Sequence, residues 1–389
     1  DTSLIKGETA NVILVFSEAV SGFDSNTDIT VQNGVLSQMT SENNSSWTGT
    51  FTPTDDIDDT TGLLTLADTY TDVAGNTGVS ASTASFGVDT KLPTVVTFAL
   101  ANSSLSSGST TTVSLVFSEA VSGFNSNDDI TTENGTLTQM TSNDNNITWT
   151  GTFTPSVDIE DTSNTLTLQT SLTDVAGNQI ASQTYTSNYV IDTLIPTVNN
   201  VTASNANGTY KEGDVIAIEV YFSETVNVTV ATPYIEISVG GNTVNVNYTS
   251  GSSTNILTFE YTVQSGITET TGINYVAINS LKINGAEIKD NYGNNALLEL
   301  PATDSVNSLL GNKTIFIDTT PATIDSVALA ADNTYITVSF NEDVFNTESG
   351  SGDLETTDFT LDITGGTANF SGGVTSSPPS NITVIDNRS

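Results

Sequence analysis

The sequence repeats itself at a spacing of about one domain. The segment VFSEAVSGF occupies Val15 to Phe23 and returns unchanged at Val116 to Phe124. The words WTGTFTP and TDVAGN follow this segment in the same order in both copies. Near-identical words that recur in order indicate tandem copies of one domain. The function of such a chain is expected to depend on length and multiplicity more than on one reactive pocket.

Within each copy, apolar and polar residues alternate with a period of two. This pattern predicts half-buried strands. The inward rows are Val12, Leu14 and Phe16 in the first copy, Val113, Leu115 and Phe117 in the second, Ile216, Ile218, Val220 and Phe222 in the third, and Ile336, Val338 and Phe340 in the fourth. Domains of this size that contain only strands and frequent turns are two-sheet sandwiches. The predicted fold class is all-β, with tandem Ig-like antiparallel β-sandwich domains joined by short Asp-Thr-x-x-Pro linkers.

Three related words, VDTKLPT, IDTLIPT and IDTTPAT, separate the copies. Proline cannot join a central strand ladder and holds the preceding residue extended, so these words predict short, semi-rigid linkers. We therefore predict Ig-like domains at residues 1–88, 89–191, 192–317 and 318–389. The first lacks its first strand, the third is longer and diverged, and the fourth is partial. The chain is accordingly expected to be a segment of a larger surface protein.

The charge balance argues against several classes of function. The sequence contains seven Lys and Arg residues and 45 Asp and Glu residues, which gives a formal net charge of −38, and it contains no His or Cys. Such a surface repels nucleic acid and anionic lipid, and the missing residue types remove the usual nucleophilic triads and zinc sites. No apolar run is long enough for direct membrane insertion. The acidity attracts hard divalent cations, although solubility alone is a second explanation.

Acidic residues from three separate words are predicted to converge where each domain meets the preceding linker. In a seven-stranded sandwich, the FSE word, the DVAGN loop and the linker Asp all fall at one pole. The gathered residues are Glu18, Asp72 and Asn76; Asp89, Glu119, Asp174 and Asn178; Asp192, Glu224, Asp290 and Asn294; and Asp318 and Glu342. Carboxylate and amide oxygens suit Ca²⁺, which takes about six to eight oxygen ligands. We therefore predict a structural calcium site at each junction that makes the linker rigid.

The same words also have a plainer interpretation. The Asp of DxAGN can cap a simple turn in which Gly takes a positive φ, and the Glu of FSE can accept backbone hydrogen bonds. A second acidic patch, TDDIDDT, has the counterpart SVDIEDT and lies close to the following linker. It either lends Asp58 or Asp161 to the next junction or forms a solvated loop.

The first two copies resemble the bacterial Ig-like repeats of large secreted adhesins. The words that carry this resemblance are FSEAVSGF, FTP, TDVAGN and VDTxxPT. Copies three and four resemble related modules in giant surface proteins of the Bacteroidota, including gliding adhesins exported by type IX secretion. The resemblance implies an extracellular location at the bacterial cell surface and repeats that are held straight by interdomain calcium.

The predicted function is a non-catalytic extender stalk of a cell-surface adhesin, which mediates cell-surface attachment or gliding-type adhesion through an unknown surface or glycan ligand. No enzyme activity is expected, because the acidic clusters recur at repeat positions whereas an active site is normally unique. Two alternatives remain open. The modules themselves could bind a glycan or a protein through Tyr234, Tyr248 and Tyr292, or the chain could be an accessory region of a secreted hydrolase.

Overall fold

A computed structural model describes residues 3–332, 334–345, 352–362, 376–377 and 383. The chain forms two compact units. The first consists of Asp1–Thr197, Glu224–Val228 and Glu287–Leu297, and the second of Val198–Ser223, Thr229–Ala286 and Leu298–Ser389. Much of the predicted fourth domain lies outside the described residues.

The first repeat contains eleven short strands and one helical turn. The strands β1 to β11 are Ser3–Ile5, Ala10–Val15, Val20–Ser21, Ile29–Val31, Gly34–Leu36, Ser46–Pro53, Asp58–Gly62, Leu64–Leu66, Thr71–Asp72, Ala81–Ser82 and Phe86–Asp89, and helix α1 is Ser25–Asp28. The sheets have the orders β2-β6-β5, β1-β11-β7, β10-β8-β4 and β3-β9. Their inward side chains enclose a core that includes Leu4, Phe51 and Val88.

The second repeat has the same plan with two more strands on the large sheet, Val95–Leu100 (β12) and Thr141–Ser142 (β18). Strands β12 to β24 are Val95–Leu100, Ser104–Ser106, Thr111–Phe117, Val121–Ser122, Ile130–Thr131, Gly135–Leu137, Thr141–Ser142, Thr148–Pro155, Glu160–Asn164, Thr167–Leu168, Thr173–Asp174, Thr184–Tyr185 and Tyr189–Asp192, and helix α2 is Ser126–Asp129. The large sheet has the order β12-β14-β19-β17, with β18 also on β19. β13 pairs in parallel with β24. This repeat has a separate core that includes Leu115, Phe153 and Ile191.

The extra strand β12 explains a difference in burial between equivalent residues. β14 lies between β12 and β19, and Val113, Leu115 and Phe117 on it are fully buried. β2 is the last strand of its sheet among the described residues, and its equivalent residues Val12 and Leu14 are only half-buried. The predicted alternation is therefore present in both repeats, but burial depends on the neighbouring strand.

The second unit holds most of the third repeat. Strands β25 to β35 are Val198–Ala203, Gly208–Tyr210, Val215–Thr229, Tyr234–Val239, Asn242–Ser250, Thr254–Thr262, Thr268–Glu269, Asn274–Tyr275, Leu281–Lys282, Glu287–Lys289 and Ile315–Asp318, and helix α3 is Leu309–Asn312. Of these, Glu287–Lys289 (β34) and the Glu224–Val228 part of β27 belong to the first unit. The main sheet runs β25-β27-β30-β29-β28-β32. Ile216, Ile218 and Phe259 are buried on it.

The described part of the fourth repeat is small. It contains β36 to β39 at Ile324–Leu329, Ile336–Phe340, Leu361–Asp362 and Ser376–Ser377, and a 3-10 helix at Thr356–Asp358. β36 pairs with β37, and β38 with β39. Val338 and Phe340 in the predicted inward row are half-buried, whereas Ile336 is exposed.

The threonine of each Asp-Thr linker word fixes the linker to the repeat that precedes it. The Thr193 hydroxyl donates to the carbonyl of Ser156 at 2.8 Å and accepts from the N–H of Ile159 at 2.9 Å. The Thr90 hydroxyl makes the equivalent pair of bonds to Thr54 and Ile57. Both threonines are buried. The linker is therefore continuous with the preceding sandwich.

Candidate metal centres

The DxxGN words form the same tight loop in the first three repeats. In the second repeat, Asp174 Oδ1 accepts from the N–H groups of Gly177 at 2.6 Å and Asn178 at 2.8 Å. The Asp174 N–H donates to the Asn178 carbonyl at 3.0 Å. Gly177 has a φ of 115°, in the left-handed region that glycine adopts without steric cost. The loop is therefore closed by its own hydrogen bonds.

The first and third repeats close this loop in the same way. Asn76 N–H donates to Asp72 Oδ1 at 2.8 Å, and Asn294 N–H donates to Asp290 Oδ1 at 2.9 Å. Gly75 and Gly293 both have a φ of 96°. The turn interpretation thus describes the loop in all three repeats, including the first, which has no linker Asp before it in this sequence.

In the second repeat, the loop carboxylate meets two others. Asp89 at the end of β11, Glu119 between β14 and β15, and Asp174 at the end of β22 each place one oxygen so that all three lie within 4.8 Å of one another. Asp174 is buried, and Asp89 and Glu119 are half-buried. The Asp89 side chain also accepts from the Lys91 N–H at 3.2 Å, which fixes the carboxylate against the linker.

A second cluster of the same composition lies in the first unit. Asp192 at the end of β24, Glu224 and Asp290 also place one oxygen each within 4.8 Å of one another. Asp192 and Asp290 are buried, and Glu224 is half-buried. Asp192 accepts from the Leu194 N–H at 3.1 Å, the equivalent of the Lys91 contact. These two clusters are the only groups of three or more such ligands among the described residues.

Asp89, Glu119, Asp192 and Glu224 have pKa values above those of ordinary carboxyl groups. Burial raises the pKa of Asp89, and the nearby charge of Asp174 raises it further. The pKa of Glu119 is raised by burial and then by Asp174 and Asp89. Burial and the charge of Asp290 likewise raise the pKa of Asp192. Like charges that are close together and partly removed from water repel, so each cluster favours a bound proton or cation.

Glu224 shows this effect most strongly. Burial, followed by the charges of Asp192 and Asp290, raises its pKa to about 7. Its Oε1 atom is buried and accepts no hydrogen bond from the described residues. A buried carboxylate oxygen without a partner carries a large desolvation penalty.

The donor set fits a hard divalent cation. All the converging atoms are carboxylate oxygens, which Ca²⁺ prefers, and the unpartnered Glu224 oxygen points to a missing positive partner. A bound cation would offset the burial and the repulsion that raise the pKa values of Asp89, Glu119, Asp192 and Glu224. Asp89, Glu119 and Asp174 would hold one ion, and Asp192, Glu224 and Asp290 another.

The two clusters differ in their nearest cationic residue. Lys91 follows Asp89 in the first linker, and its charge partly lowers the pKa values of Asp89 and Glu119. The equivalent position in the second linker is Leu194. The first cluster therefore has a partial substitute for a metal ion, which the Glu224 cluster lacks at this position.

The amide oxygens of the predicted ligands Asn178 and Asn294 accept backbone hydrogen bonds in this structure. Asn178 Oδ1 accepts from the Lys6 N–H at 2.8 Å, and Asn294 Oδ1 accepts from the Ser107 N–H at 2.6 Å. One lone pair of each amide oxygen is therefore already used, and the roles of Asn178 and Asn294 as calcium ligands stay predictions. This contact was not visible in the sequence, because its donor is a backbone N–H.

Within the part of the chain that the structure describes, the predicted site residues of the first and fourth repeats form no such cluster. Glu18 and Asn76 are exposed and Asp72 is half-buried, and the Asn76 side chain lowers the pKa of Asp72 by donating to it. Asp318 is half-buried and accepts from the Thr320 N–H at 2.9 Å. Glu342 is also half-buried, and the sequence has no DxxGN word after it.

Each cluster has a fourth acidic neighbour in the patch that precedes the linker. Asp58 lies directly opposite Asp89 across β7 and β11, and Glu160 lies directly opposite Asp192 across β20 and β24. The charge of Asp58 adds to the raised pKa of Asp89. Asp58 thus lies next to the junction, and its contribution to a cation site stays a prediction. The prediction for Asp161 was wrong by one residue, because Asp161 instead accepts from Asn134 Nδ2 at 2.9 Å.

The three tyrosines considered as a binding surface have different environments. Tyr248 packs edge-on against Phe259, with ring centroids 6.0 Å apart, and its hydroxyl accepts from the Ser252 N–H. Tyr234 is a half-buried strand residue, and Tyr292 is exposed. Tyr248 is therefore engaged in local packing.

Similar solved structures include fragments of titin and a protocadherin extracellular domain. An I-band fragment of titin has a TM-score of 0.35 and 12% identity, and covers 77% of this chain and 95% of the titin chain. Titin domains Z1Z2 in complex with telethonin have a TM-score of 0.19 and 10% identity, with coverages of 54% and 98%. The protocadherin gamma B4 extracellular domain has a TM-score of 0.32 and 12% identity, with coverages of 87% and 54%. The comparison with curated proteins gave no match.

The family comparison is specific for the first half of the chain. Residues 1–88 and 89–191 each match the family described as bacterial Ig-like domain. Residues 1–191 are therefore two tandem bacterial Ig-like domains. The predicted fold class, all-β with tandem Ig-like domains, is confirmed. Domains of this family are typically extracellular, and no helix in the described part of the chain has the length and apolarity needed to span a membrane.

Proposed function

We propose that this chain is a non-catalytic extender of a bacterial cell-surface adhesin, and that Ca²⁺ bound at the two carboxylate clusters makes its linkers rigid. The observation that carries the proposal is the unpartnered, buried Glu224 Oε1 within a cluster of three carboxylates. A structural Ca²⁺ ion would be the positively charged partner that this oxygen lacks.

The position of the first cluster supports a role in linking repeats. Asp89 ends the last strand of the first repeat, whereas Glu119, between β14 and β15, and Asp174, at the end of β22, belong to the second. An ion bound by all three would connect the two repeats, and its binding would stabilise the junction by mass action. The recurrence of the same triad at Asp192, Glu224 and Asp290 fits a device that serves repeated junctions.

The surface setting is part of the same proposal. The repeat words resemble those of large secreted adhesins, and tandem Ig-like domains suit a spacer that presents a distal ligand-binding region. Gliding-type adhesion and export by type IX secretion remain predictions. Detection of the full-length protein on intact cells with an antibody to this segment tests the location, and labelling only after lysis would contradict it.

Calorimetric titration of the whole 389-residue chain with CaCl₂ tests the metal sites. We expect binding at two sites, one for each cluster. Glu119→Gln should remove the first site and Glu224→Gln the second. Both substitutions should leave the DxxGN loops intact, because neither side chain closes a loop. Glu18→Gln is the matched control, since the exposed Glu18 occupies the same position in the first repeat outside any cluster. Absence of heat and of any shift in melting temperature at millimolar Ca²⁺ would exclude the proposal.

A further inference from the structure

Asn178 connects three chain segments that are distant in sequence. Its side-chain Nδ2 donates to the Asp89 carbonyl at 2.9 Å and to Asp174 Oδ2 at 2.8 Å. Its Oδ1 accepts from the Lys6 N–H at 2.8 Å. Both amide hydrogens and the amide oxygen are thus used, and the residue is 3% exposed. The contacts join the first repeat, the linker and the DxxGN loop of the second repeat.

Asn294 makes the same set of contacts one repeat later. Its Nδ2 donates to the Asp192 carbonyl at 2.9 Å and to Asp290 Oδ2 at 2.6 Å, and its Oδ1 accepts from the Ser107 N–H at 2.6 Å. It is 2% exposed. The equivalent Asn76, which has no preceding repeat in this sequence, is exposed and bonds to Asp72. The contacts across the junction are therefore additional to those that close the loop.

The group that the amide recognises is a backbone feature. Lys6 lies in a turn closed by Glu8 N–H to the Ile5 carbonyl at 3.1 Å, with Gly7 at a φ of 84°. Ser107 occupies the same turn, closed by Ser109 to Ser106 at 3.0 Å, with Gly108 at a φ of 73°. A positive φ at the third residue is typical of a type II turn, whose second residue does not use its N–H inside the turn.

We propose that Asn178 and Asn294 form inter-repeat amide bridges, which bind the turn of the preceding repeat to the linker without a metal ion. Each bridge comprises the Asn side chain, the linker Asp carbonyl and the N–H at the second position of the turn. The bridge recognises backbone geometry, so Lys and Ser serve equally at that position. It is formed entirely of hydrogen bonds and is independent of the calcium proposal.

Hydrogen exchange of the whole chain in EDTA tests the bridge. In Asn178→Ala, the Lys6 amide is expected to exchange about fivefold faster or more, because it loses its acceptor. Asn76→Ala is the matched control: it opens the equivalent loop of the first repeat and should leave Lys6 exchange unchanged. The Ser107 amide should respond to Asn294→Ala in the same way. Unchanged protection of Lys6 in Asn178→Ala would refute the bridge.

A second test removes the donor instead of the acceptor. Lys6→Pro deletes the N–H at a turn position where proline is favoured, whereas Lys6→Ala keeps the N–H and removes only the side chain. In EDTA, Lys6→Pro should lower the denaturant midpoint relative to Lys6→Ala, and this difference should vanish in the Asn178→Ala background. Additive effects would contradict the bridge. Because both tests exclude metal, their outcome is separate from that of the calcium titration.

Discussion

Glu224 is the residue whose titration reports best on the chemistry of the junction. Its pKa of about 7 lies above the ordinary carboxyl value of 4.5 because the group is buried beside Asp192 and Asp290. Between pH 4.5 and about pH 7, the folded protein without metal therefore holds a proton here that the unfolded chain releases. The stability contributed by this proton is present at acidic pH and is lost as the pH rises through about 7.

Calcium binding at the Glu224 cluster should consequently release protons. Near pH 7 the ion must displace the proton on Glu224, so its apparent affinity should fall as the pH drops below about 7. Titration in two buffers of different ionisation enthalpy measures the protons released, and Glu224→Gln should abolish that release. An affinity that is the same at pH 5.5 and pH 8, with no proton release, would contradict this assignment.

The sequence predicted which acids meet, but not all the directions of their side chains. The repeat words placed Asp89, Glu119 and Asp174 at one pole, because strand direction alternates in a sandwich. The pairing of Glu160 with Asp192 depends on strand register, and a shift of one residue turns a side chain to the other face. The acceptor role of Asn178 depends on a backbone N–H of another repeat, which carries no residue-specific signal.

At the scale of elements, the linker sequences give the two clusters different electrostatic surroundings. Lys91 stands beside the first cluster where the second linker has Leu194. Lys91→Leu should tighten Ca²⁺ binding at the first cluster about threefold to tenfold, because a nearby cation at a protein surface contributes on the order of 1 kcal/mol. Leu194→Lys should weaken the second cluster by a similar factor. Calorimetry of both variants checks this pair, and high salt should shrink both effects. Shifts of the opposite sign would contradict the electrostatic explanation.

The buried threonine in the linker word should contribute to stability even without metal. Thr193→Val keeps the volume but leaves the Ile159 N–H and the Ser156 carbonyl without their partner. We expect a loss of about 1–3 kcal/mol in the free energy of unfolding. Chemical denaturation in EDTA measures it, with Thr320→Val in the exposed part of the third linker as the control. Equal effects of the two substitutions would argue against the anchoring role.

The alternating pattern identified the main strands, whereas shorter elements left no periodic signal. Helices α1 and α2 are four residues long, about one helical turn, and begin at Ser25 and Ser126. The side chains of the preceding Asp24 and Asn125 cap them. Several strands of two residues pair only because the sandwich around them is formed. The half-burial of Val12 and Leu14 was likewise unpredictable, since it depends on the neighbour of β2.

At the scale of the molecule, the repeated sequence motifs predicted the tandem arrangement of the first two domains. The motifs of the later domains are less similar and predicted the organisation of those domains less clearly. The first cluster joins a strand end of the first repeat to a loop residue and a strand end of the second, so an ion there should couple the unfolding of both repeats. Multidomain chains otherwise unfold in separate steps.

The only two tryptophans report on this coupling separately. Trp47 packs in the first repeat against Phe23, and Trp149 packs in the second against Phe124. With Ca²⁺, the thermal transitions of Trp47→Phe and Trp149→Phe proteins, followed by fluorescence, should coincide. In EDTA, or with Glu119→Gln added, they should separate. A gap between the transitions that does not depend on Ca²⁺ would show that the ion does not couple the repeats.

The most direct measurement is an electron-density map from crystals of the chain grown with Ca²⁺, with the anomalous diffraction recorded. We predict two anomalous peaks, one bound by Asp89, Glu119 and Asp174 and one by Asp192, Glu224 and Asp290, at about 2.3–2.6 Å from their oxygens. Clusters without a peak at millimolar Ca²⁺, with the carboxylates turned towards water, would contradict the proposed role of calcium.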